Sequence, residues 1–168
     1  MLILLPITIL CMLLYGLIMG SFSGGPQTWV VPIKVAAGTL LSALICLPSL
    51  YIFGCLSGNN QSFSQVSGLL LQSIALTAIL LTGFVPIAWI FSQSTHAVAF
   101  MGALHLGFWA TATAFSLRLL TTAFSHLNKG SGVLRIWKLI FIVVTLQMCT
   151  MLRPLVGEID GFRLGEKK

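Results

Sequence analysis

An all-α bundle crossing a membrane about five times is the fold this sequence predicts, and three observations carry the prediction. Of the 168 residues 57% are hydrophobic and only 7% charged, and mean hydropathy is +1.02. A soluble domain carries about 25% charged residues, so an ordinary water-facing globule is excluded. The apolar residues also fall into continuous runs of membrane-helix length, since about 20 helical residues cross a hydrocarbon core of ~30 Å. Finally, the only acids, Glu158, Asp160 and Glu166, lie near the C-terminus, so no carboxylate side chain occurs from Met1 to Gly157. That excludes an internal Asp/Glu catalytic pair, a carboxylate metal site and an intramembrane carboxylate relay.

The first segment, from about Leu2 to Gly20, has no Lys or Arg and is apolar from its start. It is too long for the apolar core of a secretory signal, so it reads as a retained span that also targets the chain. It ends in the turn-rich run Ser21-Phe22-Ser23-Gly24-Gly25-Pro26. The second segment runs from about Val30 to Leu56 and stops at Ser57-Gly58-Asn59-Asn60-Gln61-Ser62. The third covers about Gln65 to Phe91, the fourth about His96 to Phe124, and the fifth about Leu134 to Leu152. Each break is a cluster of Gly, Ser, Asn or Pro, which punctuates a chain through turn chemistry.

Helices are preferred to strands because the runs lack the polar/apolar alternation of a membrane barrel. Pro32, Pro48 and Pro86 fall inside the second and third segments, where the missing N–H bends a helix. Pro6 fits a first turn at little cost. Short connectors predict that successive helices pack as antiparallel neighbours. Residues 1–157 form the bundle and 158–168 a short polar tail.

Five crossings place Arg118, Lys129, Arg135 and Lys138 on one side and Lys34, Arg153, Arg163, Lys167 and Lys168 on the other. The first group flanks one compact hairpin, which favours that side as cytoplasmic under the positive-inside rule. The N-terminus is then cytoplasmic.

Lys34 lies about one turn inside the second segment, and Arg118 about six residues before the fourth segment ends. Each reads either as a contact to an anion or lipid phosphate, or as a cation snorkelling to the headgroups. Arg153 joins them near the far interface. None has a carboxylate mate within the helices, which leaves phosphates, carbonyls, water, the tail or another subunit.

His105 is the deepest histidine, about 13 Å along its helix from His96. Histidine is the usual axial donor to haem, so a haem or chlorophyll-type pigment is one reading. A neutral, hydrogen-bonded imidazole within the bundle is the other, and it is favoured because His96 and His126 sit near connectors and supply no second ligand at matching depth. Cys11, Cys46, Cys55 and Cys149 show no C-x-x-C or Cys/His metal spacing. They read as free thiols, and no metal is expected.

Gly16 with Gly20, Gly54 with Gly58, and Ala110 with Ala114 are small-x-x-x-small pairs, which let helix backbones approach closely in lipid. Ser73 and Thr77 share a face, as do Thr111 and Ala114. The basic fourth connector is smaller than a dedicated anionic-lipid cluster. Its charges, split from the rest by the membrane, give no nucleic-acid footprint.

The stretch Tyr15-Gly16-Leu17-Ile18-Met19-Gly20-Ser21-Phe22-Ser23-Gly24 resembles the opening of uncharacterised bacterial membrane proteins related to the Yip1 family. The resemblance continues through Ile33-Lys34-Val35, Leu47-Pro48-Ser49-Leu50-Tyr51-Ile52-Phe53 and Val85-Pro86-Ile87, then Leu146-Gln147-Met148 and Leu152-Arg153-Pro154-Leu155-Val156-Gly157. It implies a five-helix bundle with a cytoplasmic N-terminus in the bacterial inner membrane. Eukaryotic relatives of that family are non-enzymatic, bind trafficking partners and shape membranes. The present chain departs from them in lacking a long soluble N-terminal segment and an acidic Asp-Leu-x-Gly-Pro motif, so the resemblance implies a fold and no trafficking role.

The leading functional expectation is a non-enzymatic accessory subunit, surrounded by membrane lipids and packed against other integral membrane proteins. A small anion or solute transporter using Lys34 and Arg118 is the second, although no inverted repeat is visible. A pigment-binding subunit using His105 is the third.

Overall fold

The computed structural model describes residues 3–23, 27–56, 62–94, 97–127 and 132–151. They form five helices: α1 (Leu4–Ser23), α2 (Gln27–Leu56), α3 (Phe63–Ser94), α4 (Val98–Leu127) and α5 (Gly132–Met151). There is no strand among the described residues. No helix end lies more than three residues from its sequence-based position. Pro32 and Pro48 sit inside an unbroken α2, and Pro86 inside α3.

Start signals are local. Ser62 and Gln65 form a reciprocal cap at α3: the Ser62 N–H donates to Gln65 Oε1, and the Gln65 N–H donates to Ser62 Oγ. This satisfies two of the donors that a helix N-terminus otherwise leaves unpaired. Within the helices, Thr and Ser hydroxyls donate back to carbonyls three or four residues earlier, as Thr8 does to Leu4 and Thr39 to Val35.

Four helices are long and apolar enough to cross a membrane: Leu4–Phe22, Thr28–Leu56, Phe63–Ser94 and Ala99–Phe124. The sequence predicts five. The described apolar stretch of α5, Ile136–Gln147, is shorter than those four.

The interior is two stacked clusters. One joins Met12, Tyr15 and Met19 of α1 to Val31, Val35 and Ala36 of α2, Ala78 and Leu81 of α3, and Ala112 of α4. The other joins Ala43, Cys46 and Leu50 of α2 to Val66, Leu70 and Ile74 of α3, Leu117, Leu120 and Phe124 of α4, and Trp137 of α5. The order of these residues sets the helix directions: α3 runs against α2 and α4. The N-terminal halves of α2 and α4 therefore lie together at one end, and their C-terminal halves at the other.

Packing departs from the expected chain of sequential neighbours. α1 packs closely on α2 and α3, and α3 on α4, but α5 packs on α2 rather than on α4. Trp137 explains the detour. It is the largest fully buried side chain, and its indole N–H reaches both Cys46 O at 3.3 Å and Ser49 Oγ at 3.1 Å on α2. Phe141 stacks on it one turn later, at a centroid distance of 5.3 Å.

Candidate functional site

The α1–α2 crossing is built on Gly16. A Cβ there would stand 2.5 Å from Pro32 Cα and 3.1 Å from Pro32 N, so the two backbones touch. Gly20, one turn on, is buried as well. Gly54 is buried against Phe124, but a Cβ there would meet that ring at an ordinary 3.8 Å. Gly58 lies outside the described residues.

The approach at Gly16 brings the neighbouring Tyr15 against α4. Its phenol oxygen lies 2.7 Å from His105 Nδ1, and the rings meet edge to face at 5.6 Å. Phe108 closes a further side of the imidazole, edge-on at 6.3 Å, and itself stacks on Phe84 at 4.6 Å. Which of the two groups donates follows the imidazole tautomer: the phenol donates to a bare Nδ1 and accepts from Nδ1–H. His105 is 3% exposed and Tyr15 0%. The Tyr15 phenol thus engages Nδ1 of the imidazole. Among the described residues no group of three His, Cys, Asp or Glu side chains is placed to hold a metal. Cys11, Cys46 and Cys55 are free thiols.

The Tyr15–His105 bond ties α1 to α4 across 90 residues of sequence, a separation that no motif spacing reveals. Tyr15→Phe keeps the ring and removes the bond, so the expected loss is that of one interhelical hydrogen bond in a membrane, about 0.6 kcal/mol. The denaturation midpoint of the purified protein in detergent measures it.

A second buried polar contact joins α3 to α4. Ser73 and Ser116 hydroxyls lie 2.6 Å apart, Ser73 Oγ donates to Ser116 O, and Ser116 Oγ to Ser73 O. Thr77, one turn from Ser73, is buried beside it. The face of Ser73 and Thr77 is therefore a packing face.

Ala110, Thr111 and Ala114 are not. All three are exposed, so the α4 surface that their spacing marks is covered by no other helix among the described residues. α4 turns Met101, His105, Ala112, Ser116 and Leu120 inward instead. The outward stripe continues through Gly107, where an added Cβ meets nothing within 4 Å, and ends at the exposed Arg118.

The cations are kept apart. Lys34 is half-buried among the α2 residues of the α1-side cluster, between Ile33 and Val35. Arg118 stands beside Leu117 of the other cluster, towards the opposite end. Arg153 lies outside the described residues. The described residues include no Asp or Glu, so neither Lys34 nor Arg118 has a carboxylate mate among them.

Comparison of the chain with protein-family models, with curated proteins and with solved structures returns no match.

Proposed function

We propose that this chain is a non-enzymatic accessory subunit of the membrane, whose α4 docks against a transmembrane helix of another protein. The observation that carries the reading is the exposed face of α4. Gly107, Ala110, Thr111 and Ala114 make a smooth track along which a second backbone can approach closely, and Arg118 stands exposed at its end. Small-residue tracks of this kind drive helix association in lipid through packing, where the hydrophobic effect supplies little. A partner helix with a carboxylate level with Arg118 would meet the charge that no described residue of this chain matches.

In this reading α5 is a fifth crossing. Its 20 residues span about 30 Å at ~1.5 Å per residue, and Trp137, Phe141 and Val144 hold it along α2. The exposed aromatics Trp29, Trp89, Phe91 and Phe100 mark one end of the bundle as an interfacial belt. The opposite end carries Arg118 and Lys138, which favours it, and the N-terminus with it, as cytoplasmic. The Yip1-type resemblance is what points to a bacterial inner membrane.

Native mass spectrometry on the chain extracted gently from membranes at native expression tests the reading. An assembly with at least one other membrane polypeptide supports it. A monomer carrying lipid alone sinks it.

A further inference from the structure

Where α5 lies along α2, the two helices form a groove with a cation at its head. α5 begins at the end of the bundle where α4 finishes and runs against α2, with the Trp137 indole seated on Cys46 O and Ser49 Oγ. A helical side chain leans towards the N-terminus of its own helix, so the Trp137 backbone lies nearer to Lys34 than the contact itself does. Gln147 stands about 15 Å beyond Trp137, and Lys34 about 18 Å back from Cys46. The two are therefore level to within about one turn. On a helical projection of ~100° per residue, Lys34, Leu41 and Ile45 lie roughly 40–80° to one side of Ser49. Because the helices are antiparallel, the residues of α5 on that same flank are Ile140 and Gln147, roughly 60–80° from Trp137. Leu41, Ile45 and Ile140 are 48%, 57% and 37% exposed, so the groove is open and apolar below Lys34.

Lys34 is half-buried at the head of that groove. It lies about 7.5 Å along α2 from Trp29, an exposed aromatic of the interfacial belt at this end. Its four-carbon stem covers apolar surface while carrying the ammonium up towards the headgroups. The described residues include no Asp or Glu, so none of them matches this charge. A glycerophospholipid supplies both halves of the fit: a phosphate for the ammonium, and an acyl chain for the strip below it. The Gln147 carboxamide, at the depth of the Lys34 backbone, carries N–H donors suited to the ester carbonyls of the glycerol. We propose that the α2–α5 groove binds an anionic phospholipid, with its phosphate on Lys34 and one acyl chain along Leu41, Ile45 and Ile140. Charge complementarity selects a net anionic headgroup, because a zwitterionic one brings its own ammonium to the phosphate. The site lies at the opposite end of the bundle from Arg118. The inference rests on the chain lying in a bilayer and does not require the partner proposed for α4.

Photolabelling tests it on the full-length chain in phosphatidylcholine nanodiscs. A trace of phosphatidylglycerol with a diazirine in its acyl chain is the probe, and phosphatidylcholine with the same diazirine is the reference. Peptide mass spectrometry locates the adducts. The anionic probe is expected to label the peptides around Leu41–Ile45 and Ile140 severalfold more than the reference does. Lys34→Gln is expected to abolish that preference, Lys34→Arg to restore it, and Arg118→Gln, at the far end, to leave it unchanged. Equal labelling by the two lipids in the wild-type chain overturns the proposal without recourse to any variant. A preference that survives Lys34→Gln, or that is lost in Arg118→Gln, overturns it as well.

Discussion

Gly16→Val is expected to unseat α1 and to lower stability by about 3 kcal/mol, the upper end of the range for overpacking a well-fitted interface. A single Cβ at residue 16 already stands 2.5 Å from Pro32 Cα. Carbon atoms in contact prefer 3.5–4.0 Å, so α1 must move out by roughly 1 Å. The obstructing atoms belong to the Pro32 backbone, within α2, and cannot swing aside as a side chain would. Gly16→Ala suffers the same clash but recovers up to ~1 kcal/mol of helix propensity, so its net loss is smaller. Movement of α1 also stretches the Tyr15–His105 bond and the Thr82 hydroxyl contact to Cys11 O. Gly83→Ala is the control, because nothing lies within 4 Å of a Cβ there. Denaturant midpoints in detergent should fall for both Gly16 variants and stay unchanged, or rise, for Gly83→Ala.

Trp137→Ala is expected to release α5 from α2, at a cost of about 3 kcal/mol. Large-to-small changes of a buried aromatic run at roughly 3–5 kcal/mol in water-soluble cores. The lower end applies here because a helix leaving the bundle exchanges protein contacts for lipid ones. The hydrogen bonds contribute the lesser part: Ser49 Oγ also donates to Cys46 O within α2, so neither atom is orphaned when the indole goes. Trp137→Phe should therefore recover much of the loss. Limited proteolysis that reports α5 detachment, with the denaturation midpoint beside it, separates the three proteins. Equal resistance in wild type and Trp137→Ala would show that α5 is held by something other than this side chain.

The helices were legible because length, apolar continuity and turn residues are local properties. Gly16 was legible too, as one member of a spaced small-residue pair. The α4 stripe was legible only as a pair of alanines, and the sequence could not say which way they faced. In a soluble helix a polar face marks the outside. α4 is apolar on both sides, so Ala110 and Ala114, which face outward, look the same as Ala112 and Ser116, which face in. The Tyr15–His105 bond and the detour of α5 to α2 were invisible for a different reason. Both depend on residues about 90 positions apart. Helix direction alone does not specify which helices touch.

The exposed face of α4 is the centre of the functional proposal, and a photo-reactive residue placed there tests it most directly. The probe replaces Ala110 or Ala114 in one set of cells and Leu10, on the outer face of α1, in another. Irradiation of intact membranes is predicted to join the α4 probes to a discrete membrane polypeptide with a carboxylate near the cross-linked residue, while the Leu10 probe takes up lipid. Lipid adducts alone at all three positions would contradict the account.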